Sequence, residues 1–83
     1  MQSMTQSAVE TIVSEFLVRR TGIARLEHTQ ELFDTGIINS LFVIELLAFL
    51  EQRFQIKVTM DDLDLERFST TERISRFVMH KCG

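Results

Sequence analysis

The chain has no proline, tryptophan or tyrosine, and it contains one cysteine and three glycines among its 83 residues. With a single cysteine, Cys82, it cannot build an internal disulfide framework. The formal net charge is −3, and the basic residues are scattered along the chain. Together with the missing tyrosine and tryptophan, this argues against a nucleic-acid partner, because such partners are bound by basic surfaces and stacking side chains.

Long hydrophobic runs are also missing. The longest run, residues 46–50, is far too short to span a bilayer. Residues 1–6 are polar and lack the charged n-region of a signal peptide. We therefore expect one small domain over residues 1–83, with no membrane partner and a cytoplasmic location. The 45% hydrophobic content is high enough for a packed core.

Helical periodicity is the main pattern that is present. A capping box of Ser7 and Glu10 precedes apolar residues at helical spacing. This predicts a first helix from about residue 5 or 8 to residue 20, which ends at Gly22. Residues 21–39 then form a long connection, of a kind that is uncommon unless it has a function.

A second helix is predicted from Ser40 to about residue 53 or 54, because Asn39 is a favoured N-cap residue. The apolar stripe expected to face the core comprises Val43, Leu46, Leu47, Leu50 and Phe54. Further apolar residues lie on two other faces, one with Leu41, Ile44 and Ala48 and one with Phe42 and Phe49. This surplus of apolar surface indicates a site for a partner.

Capping residues also predict the remaining elements. Thr59 begins a short helix, and a capping box of Ser69 and Glu72 opens the last helix. No alternating pattern is long enough for a sheet. The predicted fold is therefore all-α: a small antiparallel bundle of three longer helices plus one short helix, with a long loop between the first two.

Ser40 is the residue most suited to carry chemistry. It would lie beside the unpaired N–H groups of a first helical turn, where the helix dipole stabilises a phosphate. We interpret it as the attachment point of a phosphate-linked arm, with an ordinary first-turn serine as the alternative. Catalysis by Ser40 is not indicated, because His28 and His80 belong to no recognisable motif. No metal site is expected, since the acidic residues Asp61, Asp62 and Asp64 lack the glycine and glutamate of a calcium loop.

Residues 32–41, LFDTGIINSL, resemble the phosphopantetheine attachment motif of acyl and peptidyl carrier proteins. The likeness continues through residues 45–47, residues 50–51 and Phe54, and through the order of the elements. It implies that Ser40 receives 4′-phosphopantetheine from coenzyme A through a Mg²⁺-dependent transferase. The arm would then hold an acyl or aminoacyl unit as a thioester. The resemblance thus implies a carrier domain and not an enzyme.

The same resemblance implies a surface that partner enzymes recognise. Besides Ser40 and the neighbouring Asn39, the resemblance implies Leu41, Ile44, Glu45, Ala48, Glu51 and Met60. The surplus of apolar surface on the second helix adds Phe42. The implied partners are a phosphopantetheinyl transferase, a loading ligase or acyltransferase, and downstream synthase or tailoring enzymes. Apolar anchors ringed by carboxylates suit brief docking to basic surfaces.

Two residues depart from the family pattern. Asn39 replaces the usual aspartate before the serine, so it caps the helix without adding charge. Phe42 lies where many carriers have a polar residue. Residues 39–42, NSLF, resemble discrete carriers of alkoxymalonyl, aminomalonyl or glyceryl units for polyketide assembly, whereas D-alanyl carriers share a similar LFDxGI loop. We expect a discrete carrier in a polyketide, nonribosomal-peptide or related pathway, with its cargo left open.

Two other interpretations stay open. A small helical adaptor would bind a partner through the second helix without a prosthetic group, and Ser40→Ala would then be silent. An obligate dimer could form through Phe42 and Phe49, although we expect a monomer.

Overall fold

The structure, a computed structural model, describes residues 5–82, which form three α-helices, two short 3₁₀ helices and no strand. The helices are α1 (Gln6–Thr21), α2 (Ser40–Phe54) and α3 (Thr71–Cys82). The prediction of an all-helical fold with three longer helices is confirmed. None of the helices in this part of the chain is long and apolar enough to cross a membrane. The expectation that residues 1–4 begin no signal peptide lies outside the described residues.

The first helix begins at a different cap from the one predicted. Thr5 has extended backbone, and its Oγ1 accepts a hydrogen bond from the N–H of Ala8 at 3.1 Å, so Ser7 lies inside α1. Both residue types can cap a helix, and the earlier one does so here. The end of α1 is as predicted: Gly22 adopts a φ of 78°, and its N–H donates to the Val18 carbonyl at 2.9 Å.

The cap of the last helix also lies one residue later than predicted, at Thr70 and not at Ser69. Thr70 Oγ1 accepts from the N–H of Arg73 at 3.0 Å. The hydroxyl of Ser69 instead donates to the carbonyl of Glu66 at 2.8 Å. Ser69 therefore completes the turn before α3 and does not cap the helix, which corrects the prediction.

Two 3₁₀ helices lie where the sequence predicts one short helix. They span Met60–Asp62 and Leu65–Phe68. Asp64 separates them with extended backbone, and its Oδ1 accepts from the N–H of Glu66 at 3.0 Å. An aspartate that bonds the backbone two residues ahead starts a new turn, which explains why the first one does not continue.

All three α-helices supply the core, and α1 packs most extensively against α3. The buried apolar residues are Val9, Val13, Leu17, Leu32, Ile38, Val43, Leu46, Leu50, Phe68, Ile74, Phe77 and Val78. Of the stripe predicted on α2, three residues are buried, whereas Leu47 and Phe54 are half-buried. The rings of Phe68 and Phe77 meet edge to face at 5.3 Å.

The connection between α1 and α2, residues 22–39, is fixed to the start of α3. Leu32 is fully buried, and its N–H donates to the carbonyl of Ser69 at 2.7 Å. The N–H of Glu72 donates to the carbonyl of His28 at 3.0 Å. These two backbone bonds and one buried side chain position the segment that leads to α2.

We expect Leu32→Ala to lower the free energy of unfolding by about 2–5 kcal/mol, because a fully buried leucine is replaced by a cavity. Leu26→Ala is the matched control in the same connection, since Leu26 is only half-buried, and its cost should be smaller. Urea unfolding followed by circular dichroism measures both. Equal costs for the two variants would contradict the anchoring role of Leu32.

Candidate functional site

Ser40 is exposed and is the first residue of α2. The preceding Asn39 has extended backbone, and its Oδ1 accepts from the N–H of Phe42 at 2.9 Å. Its carbonyl accepts from Val43 at 3.2 Å. Among residues 5–82, the N–H groups of Ser40 and Leu41 have no acceptor. The exposed hydroxyl thus belongs to a residue at the positive end of the helix, beside two free donors.

The turn that precedes this serine is held by its own hydrogen bonds. Gly36 has a φ of 77°, a left-handed conformation that favours glycine, and its N–H donates to the Phe33 carbonyl at 3.0 Å. The hydroxyl of Thr35 donates to the carbonyl of Glu31 at 2.6 Å. Buried Ile38 follows two residues before the serine. Ser40 therefore follows an ordered turn with an apolar anchor.

A largely apolar surface lies along α2 and the first 3₁₀ helix. Leu41 is 79% exposed, Ile44 68% and Met60 83%. Beside them is an open cleft of about 370 Å³, lined by Ile44, Leu47, Ala48, Glu51, Val58, Thr59, Met60 and Leu63. The structure thus brings four of the predicted partner residues, Ile44, Ala48, Glu51 and Met60, to one cleft.

The two predicted carboxylates of α2 both have partners within the chain. Glu45 forms an ion pair with Arg20, in the last turn of α1. Glu51 Oε2 accepts a hydrogen bond from the N–H of Val58 at 2.8 Å. The sequence did not predict either contact, because the partners lie on other elements.

The phenylalanines of α2 pack against α1. Phe16 stacks on Phe49 with ring centroids 4.0 Å apart, and it lies 6.0 Å from the ring of Phe42. All three rings are half-buried. Phe16 belongs to the apolar residues at helical spacing in the first helix, which do not by themselves predict this contact. The partner-binding role of Phe42 stays a prediction.

Asp62 lies near this surface, and the sequence analysis considered it only as part of an incomplete calcium loop. Its Oδ2 accepts from Lys81 Nζ at 2.8 Å and from the N–H of Thr59 at 2.9 Å. The hydrogen bond from Lys81, followed by that from Thr59, lowers the pKa of Asp62 from 3.8 to about 2. The carboxylate therefore joins the first 3₁₀ helix to the last turn of α3. Within residues 5–82, no group of three or more histidine, cysteine, aspartate or glutamate residues could hold a metal ion.

Asn39→Ala should lower the free energy of unfolding by about 1 kcal/mol, because it removes the side-chain acceptor of the helix cap. Asn39→Asp keeps the acceptor and adds a negative charge at the positive end of α2, so it should preserve or slightly raise stability. Urea unfolding at neutral pH compares the two. A loss for Asn39→Asp as large as that for Asn39→Ala would contradict the capping role.

The Asp62 contacts predict a defined dependence on pH. A carboxyl whose pKa is lowered on folding stabilises the protein above its ordinary pKa of 3.8, and that contribution is lost as the pH falls through about 2. Asp62→Asn should therefore be less stable than the wild type at neutral pH, with a difference that shrinks between about pH 4 and pH 2. Urea midpoints across this range measure it.

Asp61→Asn is the matched control for this pH series. Asp61 is exposed and makes no ion pair or side-chain hydrogen bond among residues 5–82. Its substitution should leave the profile close to that of the wild type. If the urea midpoints of Asp62→Asn and of the wild type changed with pH in parallel, the assigned contacts of Asp62 would be contradicted.

Comparisons with known proteins bear on this site. A family model described as "Phosphopantetheine attachment site" matches residues 8–78. The D-alanyl carrier protein of Streptococcus uberis is 38% identical over 45 residues, which cover 54% of this chain and 57% of that protein. The D-alanyl carrier proteins of Streptococcus suis and Streptococcus pyogenes are each 36% identical over 45 residues, with the same coverage of this chain and of the relative. The chain thus spans little more than half the length of these curated relatives.

Proposed function

This chain belongs to the phosphopantetheine attachment-site family, and from that premise we propose that Ser40 bears the 4′-phosphopantetheine arm. Proteins of this family hold the group covalently and carry acyl units without being enzymes. The observation that supports Ser40 most directly is its exposure at the first position of α2, beside two N–H groups that have no acceptor among residues 5–82. A phosphodiester at this serine would meet free donors and the positive end of the helix.

The residues around Ser40 suit the group. Asn39 caps α2 and leaves the serine at the surface. Ile38 and the Gly36 turn hold the preceding backbone in place, so the attachment point is fixed relative to the core. When bound, the group supplies a terminal thiol that holds an acyl or aminoacyl unit as a thioester.

We further propose that partner enzymes dock on the exposed surface of α2 and the first 3₁₀ helix. Its apolar residues are Leu41, Ile44, Ala48 and Met60, with Phe42 at the side that faces α1. Carrier proteins work with a phosphopantetheinyl transferase and with ligases or acyltransferases, and this surface is where we place their contacts. The whole chain, residues 1–83, then acts as one carrier domain.

The cargo is a small acyl or aminoacyl unit. The relatives that are named D-alanyl carrier proteins favour a D-alanyl unit. The NSLF run of residues 39–42 favours the alternative, an extender unit for polyketide assembly. Intact mass and fragmentation of the protein isolated from its native cell would distinguish the two.

Incubation with coenzyme A, Mg²⁺ and a broad-specificity phosphopantetheinyl transferase tests the attachment site. The wild type should gain the mass of one phosphopantetheine group, and Ser40→Ala should gain none. Ser7→Ala is the matched control, because Ser7 is also exposed and lies in the first turn of α1, and it should be modified like the wild type. Intact-mass spectrometry measures the mass gain of the wild type and of both variants.

Two outcomes of this experiment would overturn the proposal. A wild type that gains no mass would favour the adaptor interpretation, in which the exposed Leu41 and Ile44 bind a partner without a prosthetic group. An undiminished gain in Ser40→Ala would place the arm on another residue.

A further inference from the structure

The last helix and the turn before it carry much of the positive charge of this acidic chain. Residues 67–81 contain four of the nine lysines and arginines and one of the twelve aspartates and glutamates. Three of these arginines, Arg67, Arg73 and Arg76, line an open cleft of about 510 Å³ between the second 3₁₀ helix and α3, which we call the arginine cleft. It shares no lining residue with the cleft on α2, so it is a second surface.

Helical geometry brings the basic side chains of the arginine cleft together. Arg76, Phe77 and His80 follow Arg73 by three, four and seven residues, so all four lie on one face of α3. Arg67 reaches this face from the second 3₁₀ helix, where its guanidinium carbon lies 5.9 Å from the centroid of the Phe77 ring. This cation–π contact holds Arg67 over the buried ring of Phe77.

The three guanidinium groups keep N–H donors for a further ligand. A guanidinium nitrogen lies beside a carboxylate oxygen of the chain at 3.6 Å for Arg67, 3.6 Å for Arg73 and 3.7 Å for Arg76. These separations are longer than direct hydrogen bonds. An arginine side chain has five N–H donors in a planar fork, which can bind a carboxylate through two parallel hydrogen bonds. The cleft therefore combines positive charge with donors that these ion pairs do not use.

We propose that the arginine cleft binds an acidic segment of a partner protein, whose carboxylates pair with Arg67, Arg73 and Arg76. Positions three residues apart on a helix lie about 5–6 Å from each other, as Arg73 and Arg76 do. The guanidinium groups are thus spread along the cleft, and they suit successive carboxylates of a peptide better than one small anion. This inference goes beyond the proposed function and does not require an arm on Ser40.

The other residues of the cleft favour a peptide over a nucleic acid. Asp64 and Glu66 line the same cleft. Carboxylates repel the closely spaced phosphates of a nucleic acid, whereas they accept hydrogen bonds from the backbone N–H groups of a peptide. Leu65, between the two in the sequence, is 55% exposed and offers an apolar contact. A peptide with both acidic and apolar side chains therefore matches these groups.

A titration of the isotope-labelled full chain, followed by heteronuclear NMR at low ionic strength, tests the proposal. The probe is a short synthetic peptide in which glutamates alternate with leucines. It should shift the amide resonances of residues 64–68 and 73–80, and the same peptide with glutamine in place of glutamate should not. Arg73→Gln combined with Arg76→Gln should weaken binding of the glutamate peptide by at least about tenfold, because two charge-assisted pairs are lost.

Arg25→Gln combined with Arg53→Gln is the matched control. It removes the same charge from two exposed arginines outside the arginine cleft, and it should weaken binding by no more than about twofold. If the double variant of the cleft unfolds, as judged by circular dichroism, Arg76→Gln alone replaces it. The side chain of Arg76 is 66% exposed, and its loss should still weaken binding about threefold.

Several results would overturn the proposal. They are the absence of shifts with the glutamate peptide, shifts confined to α2, equal losses for the two double variants, and an unaffected Arg76→Gln. Tighter binding of a single-stranded oligonucleotide or of inorganic phosphate than of the peptide would also do so. Ser40→Ala should bind the peptide like the wild type, so a failure of this proposal and a failure of the proposed function are separate results.

Discussion

The site depends on one hydrogen bond, from the backbone N–H of Phe42 to the side chain of Asn39. It sets the first residue of α2, because the cap ends the extended backbone of the preceding turn. Ser40 thereby becomes the first helical residue, with its hydroxyl at the surface and its N–H without an acceptor among residues 5–82.

Helical periodicity decides which side chains of α2 lie inside and which lie outside. Val43, Leu46 and Leu50 point into the core, whereas Leu41 and Ile44 are left at the surface near the serine. The same helix therefore contributes to stability with one face and leaves another face exposed, where we propose that partners dock. The core of a small domain is too small to bury the second face as well.

Much of this arrangement could be predicted from the sequence, because it is local. The start of α2, its buried stripe and the glycine that ends α1 follow from periodicity and capping residues a few positions apart. The contacts between Arg20 and Glu45, and between Asp62 and Lys81, could not be predicted in this way. They join residues of different elements, and no short spacing reveals them. Caps were misplaced where two suitable residues lie close together, as at Thr5 and Ser7.

The backbone bond from Leu32 to Ser69 has a consequence for the order of assembly during synthesis. Ser69 leaves the ribosome well after Ser40, so the turn before the serine lacks its support until the last helix is made. A newly synthesised chain therefore contains the residues of this turn before the turn has its final hydrogen bonds. The shape of the turn before Ser40 thus depends on a residue that is made only just before the last helix.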